Sequence, residues 1–323
     1  MPEIAVVVPA FRAAETIEAT LAHLAQQTFT DFEIVIVDCG SDDGTVELVQ
    51  DAIASNKPAK MKLVGCGSQN PKAACACGGG QTPPGCRRNL GVKSTTAPLI
   101  AFTDADCAPE PGWLAAGVKA LSQADLVQGA VIPERPPVPF DRTVSVGGEH
   151  GLYETANLFV TRTAWDKVGG FEPVPGIKLA PGASPFGEDV WFAWRVKRAG
   201  ALTAFAPNAV VKHAVFPRGA AGYIAEQTRR RHFPALVSAV PELRDAFLYQ
   251  RLFLSKRVLQ FDLLAAGIAT ALLTKRKLPL LAAIPYVLKA DRRPKVAATA
   301  LAADAVGAAA QLTGSIAAKT PVF

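Results

Sequence analysis

The stretch Pro98-Leu-Ile-Ala-Phe-Thr-Asp104-Ala-Asp106-Cys107 decides the fold of this chain. A short apolar run ends there in two carboxylates that stand one residue apart. Because an ionised carboxylate inside a sheet is strongly destabilising, the pattern predicts a buried strand that ends just before Asp104. Open α/β sheets bind ligands at the carboxyl ends of their strands. Two oxygen ligands at that edge suit Mg²⁺ or Mn²⁺, and such an ion suits a diphosphate.

Two apolar runs upstream predict neighbouring strands. Residues 3–9 form a continuous apolar run, and Phe32–Asp38 is a second run that also ends in an acid. The apolar residues between these two runs have helical spacing, which predicts a helix between the two strands. A weaker strand is predicted at Met61–Val64. Strands that alternate with helices indicate a largely parallel α/β sheet with crossover helices. Asp38 and Asp104 are therefore expected at one edge of this sheet.

Composition favours a folded chain with a large core, since half of the 323 residues are hydrophobic and 19% are charged. The amino terminus runs directly into the first strand pattern, without a basic region or a cleavage site. This predicts that no signal peptide is present and that the protein is cytoplasmic.

Charge divides the chain into two predicted domains, 1–228 and 229–323. The first carries 19 basic and 23 acidic side chains, a net charge of −4, whereas the second carries 15 and 5, a net charge of +10. In the second domain the apolar runs 263–274 and 278–288 are shorter than a bilayer span and alternate with basic clusters. This pattern predicts a helical appendage that lies on the anionic cytoplasmic face of a membrane, while an ordinary helical subdomain remains the alternative.

Four of the six cysteines, Cys66, Cys75, Cys77 and Cys86, fall in one glycine-rich loop. A zinc site there remains open, although Cys-x-Cys is not the usual spacing of a zinc knuckle. In a chain without a signal peptide, reduced thiols are the expectation.

A series of motifs, in order along residues 3–235, resembles the family 2 glycosyltransferases with the GT-A fold. The motifs are Val8-Pro9-Ala10-Phe11 followed by Glu15, Val37-Asp38-Cys-Gly-Ser-Asp42-Asp-Gly-Thr45, Arg87-Arg88-Asn89-Leu-Gly91, Asp104-Ala105-Asp106, Gly169-Gly-Phe171 and Glu188-Asp189. The resemblance implies an α/β fold in which a mixed, mostly parallel sheet is flanked by helices, with a C-terminal helical appendage. It also implies inverting transfer of a sugar from a nucleoside-diphosphate sugar of the UDP or GDP type.

The resemblance further implies the residues that bind the donor. Asp38 would accept the imide N–H of the base, and Arg88 would meet the nucleotide or its phosphates, which a guanidinium binds well. The full implied set is Pro9, Ala10, Phe11, Glu15, Asp38, Arg88, Asp104, Ala105, Gln227 and Arg230. Arg231 stands where processive synthases continue with tryptophan, which argues against processive synthesis.

The catalytic and metal-binding residues follow from the same resemblance. Asp106 would bind a divalent ion, Mn²⁺ or Mg²⁺, and His213 would be a second ligand, although a histidine at a strand end is often a structural hydrogen-bonding group. Asp189 would be the general base that takes the proton of the acceptor hydroxyl, and Glu188 would orient the loop or the acceptor. Helix capping is the competing interpretation of this acidic pair.

The sequence therefore favours a non-processive, metal-dependent inverting glycosyltransferase. A lipid-linked or envelope glycan is the expected acceptor, and nucleic acid is not an expected partner. A sugar nucleotidyltransferase is disfavoured because residues 9–14 contain no glycine. A catalytically inactive nucleotide-sugar or membrane-binding protein remains a further alternative, which the filled catalytic positions argue against.

Overall fold

The computed structural model describes residues 1–55, 60–65, 83–179 and 183–323. These ranges contain a single sheet with the order β3-β2-β1-β4-β7-β6-β8-β5. Its strands are β1 (Ile4–Ala10), β2 (Phe32–Asp38), β3 (Met61–Gly65), β4 (Leu99–Phe102), β5 (Cys107–Pro109), β6 (Leu126–Pro133), β7 (Leu158–Thr161) and β8 (Thr203–His213). Strands β1 to β4 pair in parallel, whereas β7 pairs antiparallel with β4 and β6, and β5 pairs antiparallel with β8. The predicted α/β fold with a mixed, mostly parallel sheet is confirmed.

Helices flank the sheet within its own part of the chain and make up most of the C-terminal part. They are α1 (Ile17–Leu24), α2 (Thr45–Ala54), α3 (Pro84–Lys93), α4 (Trp113–Leu121), α5 (Arg162–Val168), α6 (Glu188–Arg198), α7 (Gly219–Glu226), α8 (Phe233–Ala239), α9 (Leu243–Ala246), α10 (Lys256–Thr274), α11 (Ile284–Val287) and α12 (Pro294–Ala318), with 3₁₀ turns at Thr155–Asn157, Gln227–His232 and Leu278–Ala283.

The chain forms two compact units. The sheet unit comprises Met1–Pro136, Thr143–Pro173 and Lys178–Val215, and the helical unit comprises Pro137–Arg142, Val174–Ile177 and Phe216–Phe323. The sequence placed this division after residue 228, and the structure moves it upstream. The physical reason is that α7 and the 3₁₀ turn at Gln227–His232 pack on α12 within the helical unit.

The core of the sheet unit explains the predicted strands. Every residue of β1 is buried, and β2 is buried except for Glu33, because both faces of these strands are covered by helices. Helix α3 lies directly on them at Gly91, where a Cβ atom would clash with Val7 and would lie 3.0 Å from Val37 Cγ2. This close approach brings the arginines of α3 to the carboxyl edge of the sheet.

In the helical unit, α10 and α12 are long and apolar enough to cross a membrane by length and composition alone. The sequence treated the run 263–274 as too short, but α10 begins earlier, at Lys256, and therefore passes this test. Helix α12 carries the buried acid Asp304, which accepts hydrogen bonds from Arg257 Nε and from Tyr286 Oη, both at 2.8 Å. A paired charge of this kind is typical of a helix packed within a protein.

Candidate active site

The loops after β1 and β2 form one polar platform at the carboxyl edge of the sheet. Arg12 donates two hydrogen bonds to Asp42, at 2.7 and 2.8 Å, and the Ala13 N–H donates to Thr45 Oγ1 at 2.8 Å. The exposed Arg12–Asp42 pair lowers the pKa of Asp42. Glu15, which the sequence assigned to donor binding, is exposed at the start of α1.

Asp38 is buried at the end of β2 beside this platform. Its Oδ1 accepts hydrogen bonds from the N–H groups of Gly40 and Ser41, each at 3.0 Å, and the Ser41 hydroxyl donates to Oδ2. A carboxylate has about four lone-pair positions, so one more donor can be accepted. Pro9 and Ala10 are buried at the carboxyl end of the neighbouring strand β1, where they pair with Val37 and Asp38 of β2.

Arg87 is a candidate residue that the sequence analysis did not assign. Its guanidinium carbon lies 4.9 Å from the centre of the Phe11 ring, and its side chain is buried. Burial lowers the pKa of Arg87 to about 10, while the charge of Asp38 opposes this shift. The fold therefore brings Arg87 close to Phe11 and Asp38. In the sequence, the only signal for Arg87 was its position next to Arg88.

Arg88 joins the two acidic motifs. Its Nη2 donates to Asp104 Oδ1 at 2.7 Å, and its Nη1 lies 3.9 Å from Glu188 Oε1. The Arg88 side chain is 6% exposed, whereas the side chains of Asp104 and Glu188 are 30% and 16% exposed, so the cation is buried and its partners reach toward solvent. The structure thus brings Asp104, which follows β4, and Glu188, which begins α6, to the same cation. Ala105, between the two β4 acids, is buried.

Asn89 holds α3 against the turn that follows α5. Its Nδ2 donates to the carbonyl of Phe171 at 2.8 Å, and the Phe171 N–H donates to its Oδ1 at 2.8 Å. Gly170 has φ +88°, and a Cβ there would clash with Asn89 Oδ1. The Phe171 ring packs on Phe192 of α6, with ring centres 4.3 Å apart. The motifs Arg-Arg-Asn-Leu-Gly and Gly-Gly-Phe are therefore two halves of one contact, which we call the Asn89 clamp.

A candidate metal site lies where β5 pairs with β8. Cys107 is directly opposite His213 in this antiparallel pair, and donor atoms of Asp106, Cys107 and His213 lie within 4.8 Å of one another. His213 Nδ1 contacts the carbonyl of Ala214 at 2.7 Å, and because a carbonyl only accepts, Nδ1 carries the proton. When the ring is neutral, the lone pair is then on Nε2, which lies 3.7 Å from Asp106 Oδ1. This tautomer is the one that binds a cation.

The chemistry of the three donors fits a divalent ion. A carboxylate and a neutral imidazole are ordinary ligands, whereas burial raises the pKa of the Cys107 thiol well above its usual value and keeps that sulfur protonated. Asp106 and His213 are therefore the residues that can hold a metal, and the hydrogen bond to Ala214 fixes the imidazole orientation. The predicted metal-binding pair is brought together by the fold.

Asp189 lies in the first turn of α6, after the N-cap residue Gly187. Its Oδ1 accepts the N–H of Val190 at 2.9 Å, so it also contributes to the helix terminus. Burial, followed by the negative charge of Glu188, raises the pKa of Asp189 to about 8, and the charge of Arg88 opposes the shift. A carboxylate with a raised pKa is suited to accept a proton from a hydroxyl group.

Two further residues near Asp189 were missed from the sequence. Glu154 lies at the end of the segment that precedes β7, and its negative charge also raises the pKa of Asp189. His150 Nε2 lies 3.6 Å from Glu154 Oε1. No spacing in the sequence connects these residues with α6, so only the fold could reveal them.

Two of the predicted donor-binding residues belong to the helical unit. Gln227 Nε2 donates to the carbonyl of Tyr223 at 2.9 Å, and Arg230 Nη2 lies 4.0 Å from Asp304 Oδ1. Their assignment to the donor remains a prediction.

The two expectations for the cysteines have different outcomes. Cys66, Cys75 and Cys77 lie outside the described residues, and so does the zinc site considered for them. Cys39 is disulfide-bonded, so the expectation of reduced thiols is wrong for this residue.

Comparisons with known proteins agree with this geometry. The family model described as "Glycosyl transferase family 2" matches residues 5–78 and 84–173, about half of the chain. Glycosyltransferase AglE of Haloferax volcanii is 27% identical over 233 residues, which cover 68% of this chain and 69% of AglE.

Two solved structures share the fold. One is the mannosyltransferase PcManGT from Pyrobaculum calidifontis in complex with GDP-Man and Mn²⁺, with a TM-score of 0.63, 20% identity, and coverage of 96% of this chain and 87% of that chain. The other is S. aureus TarS 1-349 in complex with UDP-GlcNAc, with a TM-score of 0.50, 16% identity, and coverage of 85% and 92%. From its motifs, its mixed sheet and the family match, this chain belongs to glycosyl transferase family 2 and is a glycosyltransferase.

Proposed function

We propose that the protein transfers a sugar, with inversion, from a nucleoside-diphosphate sugar to a hydroxyl acceptor, one sugar at a time. Asp189 accepts the proton of the acceptor hydroxyl as its oxygen bonds to the anomeric carbon, and the nucleoside diphosphate leaves from the opposite face. Glu188 orients the acceptor side. The bridge that Arg88 makes between Asp104 and Glu188 carries this proposal, because it brings a donor-side acid and the neighbour of the candidate base to one cation.

The donor half of the proposal rests on the platform at the sheet edge. Asp38 offers an acceptor for the imide N–H of a base, and the neighbouring Phe11 ring offers a flat apolar surface. Arg87 and Arg88 supply two buried positive charges, which suit the phosphates of a donor. PcManGT and TarS, which share the fold, are described with GDP-Man and UDP-GlcNAc, and both donors are of the proposed class.

Asp106 and His213 would hold the divalent ion. When bound, the ion neutralises the negative charge that develops on the leaving diphosphate. The imidazole ligand favours Mn²⁺ over Mg²⁺, which takes oxygen ligands almost exclusively. The Mn²⁺ of the PcManGT complex supports the same choice.

A thermal-shift screen tests the donor and metal together. A ligand that binds only the folded state, at a free concentration of 100 times its Kd, stabilises that state by about 2.7 kcal/mol. In a protein of this size, this raises Tm by roughly 5 °C. We expect such a shift with a uridine or guanosine diphosphate in the presence of Mn²⁺, and a smaller shift with chelator. Equal shifts for all nucleotides, with or without Mn²⁺, would contradict the assigned site.

We further propose that the helical unit docks the enzyme on the anionic cytoplasmic face of a membrane. Residues 272–288, which we call the apolar tip, expose a dense series of large apolar side chains. These are Leu272 (75% exposed), Leu273 (86%), Leu278 (74%), Leu280 (43%), Leu281 (58%), Ile284 (47%), Val287 (59%) and Leu288 (79%). Exposed apolar surface of this density marks an interaction site.

Charge indicates that the partner of the apolar tip is a lipid surface. Lysine and arginine side chains lie within and beside the tip, and all of them are exposed: Lys275, Arg276, Lys277, Lys289, Arg292, Arg293 and Lys295. The neighbouring acid, Asp291, is already paired with Arg293 at 2.9 Å. Leucines beside lysines and arginines suit the boundary between acyl chains and anionic headgroups. An enzyme held there would meet a lipid-linked acceptor, which is the acceptor class that we propose.

Liposome sedimentation tests the apolar tip. Burial of a leucine contributes about 1.5–3 kcal/mol, so the double variant Leu272→Glu/Leu273→Glu is expected to weaken binding to anionic vesicles by at least about 100-fold. The matched control is Leu202→Glu, because Leu202 is 66% exposed but belongs to the sheet unit. Equal binding of both variants, or equal binding of the wild type to neutral vesicles, would contradict the docking proposal.

A further inference from the structure

The carboxylate of Asp38 is held in one orientation by the loop that follows β2. Its Oδ1 accepts the N–H groups of Gly40 and Ser41, each at 3.0 Å, and its Oδ2 accepts the Ser41 hydroxyl. The Ser41 oxygen in turn accepts the N–H of Arg12 at 2.8 Å, so its single hydrogen is committed to Asp38. Arg12 has φ +50°, a left-handed conformation that this bond stabilises. The three donors to Asp38 are therefore fixed before any ligand binds.

These bonds leave Asp38 with an unequal pair of oxygens. Each carboxylate oxygen has about two lone-pair positions. Both positions of Oδ1 are filled by backbone N–H groups, whereas Oδ2 has used only one, for the Ser41 hydroxyl. Asp38 can thus accept one more hydrogen bond, and only at Oδ2. Because Asp38 is buried, a second ligand N–H placed beside it would be left without a partner.

The strands on either side of Asp38 place small residues next to it. Asp38 pairs in register with Ala10 of β1 and with Gly65 of β3. Residues in register on neighbouring strands share one face of the sheet, so these two are the lateral neighbours of the carboxylate. A Cβ atom built on Gly65 would meet, among the described residues, only the carbonyl oxygen of Asp38, at 3.9 Å. The absence of a bulky neighbour in register suits a flat ring beside Asp38.

Arg87 brings an unsatisfied donor to the same edge of the sheet. Helix α3 packs at Gly91, where a Cβ atom would lie 3.0 Å from Cγ2 of Val37, the residue before Asp38. Arg87 is one helical turn before Gly91 on the same face, and its guanidinium carbon lies 4.9 Å from the centre of the Phe11 ring. Its Nε is buried and has no hydrogen-bond partner within the described parts of the chain. A carbonyl group of a ligand can supply the acceptor that this N–H needs.

The shared fold leaves the base of the donor open, since PcManGT and TarS are described with GDP-Man and UDP-GlcNAc. We propose that Asp38 selects a 2,4-dioxopyrimidine, uracil or thymine, and discriminates against guanine. The edge of uracil carries one N–H between two carbonyl groups, which matches the one open position at Oδ2 and the unsatisfied N–H of Arg87. This inference rests on the proposed function, because it needs a nucleoside-diphosphate sugar as donor.

The other bases match the open position less well. Guanine presents its N1–H and its amino group side by side, and a carboxylate pairs with both only by using both oxygens. Oδ1 of Asp38 is already filled, so one of these guanine N–H groups would be buried without a partner. Cytosine and adenine have an acceptor nitrogen at the centre of the corresponding edge, and a carboxylate repels its lone pair.

Calorimetric titration of the full chain in the presence of Mn²⁺ tests the choice of base. We expect UDP to bind roughly 10–100-fold more tightly than GDP, the effect of one buried donor without a partner. UDP methylated at N3 lacks the N–H and should lose a similar factor. UDP methylated at C5 separates the two pyrimidines: binding equal to that of UDP assigns both uracil and thymine, and weaker binding assigns uracil alone.

A serine variant tests whether the filled positions of Asp38 set the preference. Ser41→Ala frees a second position on Oδ2 and should reduce the preference for UDP over GDP by up to roughly tenfold. The matched control is Ser122→Ala, an exposed serine at the end of α4, which should leave the preference unchanged. An unchanged preference in Ser41→Ala, or GDP binding at least as tight as UDP binding to the wild type, would overturn the inference while a donor nucleotide still binds. Failure of every nucleotide to bind would contradict the proposed function itself.

Discussion

Replacement of Asp189 by asparagine is expected to lower kcat by about 10²–10⁴-fold, the usual contribution of a positioned general base. Asparagine keeps the size of the side chain and can still contact the Val190 N–H through its oxygen. It cannot take the proton of an acceptor hydroxyl. Initial rates with a nucleotide-sugar donor and Mn²⁺ measure the effect, and binding of the donor should be nearly unchanged.

The same variant should stabilise the fold, which separates a catalytic role from a structural one. The pKa of Asp189 is raised from 3.8 to about 8, so ionisation of this carboxyl destabilises the folded state progressively between these pH values. At pH 7 the cost is at most about 4 kcal/mol, and asparagine removes it. Tm of the variant should match the wild type near pH 4 and exceed it at pH 8. An inactive variant that is also less stable at pH 8 would indicate that Asp189 is needed for structure.

Replacement of Asp106 by asparagine is the second large expected effect. Loss of the metal-binding carboxylate removes several kcal/mol of charge stabilisation, which corresponds to about a 10³-fold fall in rate. Titration of Mn²⁺ followed by electron paramagnetic resonance should show that the variant no longer binds the ion. This readout does not depend on turnover.

Two further variants serve as controls for this experiment. Asp166→Asn changes an exposed acid on α5 and should leave Mn²⁺ binding intact. His213→Gln removes the second ligand and should also weaken Mn²⁺ binding, which guards against a folding defect that is specific to Asp106→Asn. Full Mn²⁺ affinity in both site variants would remove Asp106 and His213 from the metal site.

The central strands could be predicted because burial on both faces leaves a continuous apolar run in the sequence. This is why β1, β2 and β4 were found with nearly correct limits. Strand β5 has three residues and β8 is interrupted by a register shift opposite Gly129 and Ala130, so neither has a clear period. Antiparallel pairing of β7 with both neighbours is a long-range property that the sequence pattern does not contain.

The candidate site could likewise be predicted only in part. Motifs singled out Asp106, Asp189 and Arg88 as candidates, because their residue types and order match the family resemblance. The partners of these residues were not visible: Arg88 pairs with Asp104 and Glu188, and Glu154 acts on Asp189 from a distant part of the chain. Such electrostatic relations arise only when the loops at the sheet edge are brought together.

The Asn89 clamp links two helices of the candidate active site to each other. One amide side chain ties the helix that carries Arg87 and Arg88 to the turn whose Phe171 ring rests on the helix of Asp189. A shift of either helix by the length of one hydrogen bond would break the clamp. In the proposed reaction, such a clamp would fix the distance between the donor side and the acceptor side of the site before substrate binds, which favours the alignment that displacement at a single carbon requires.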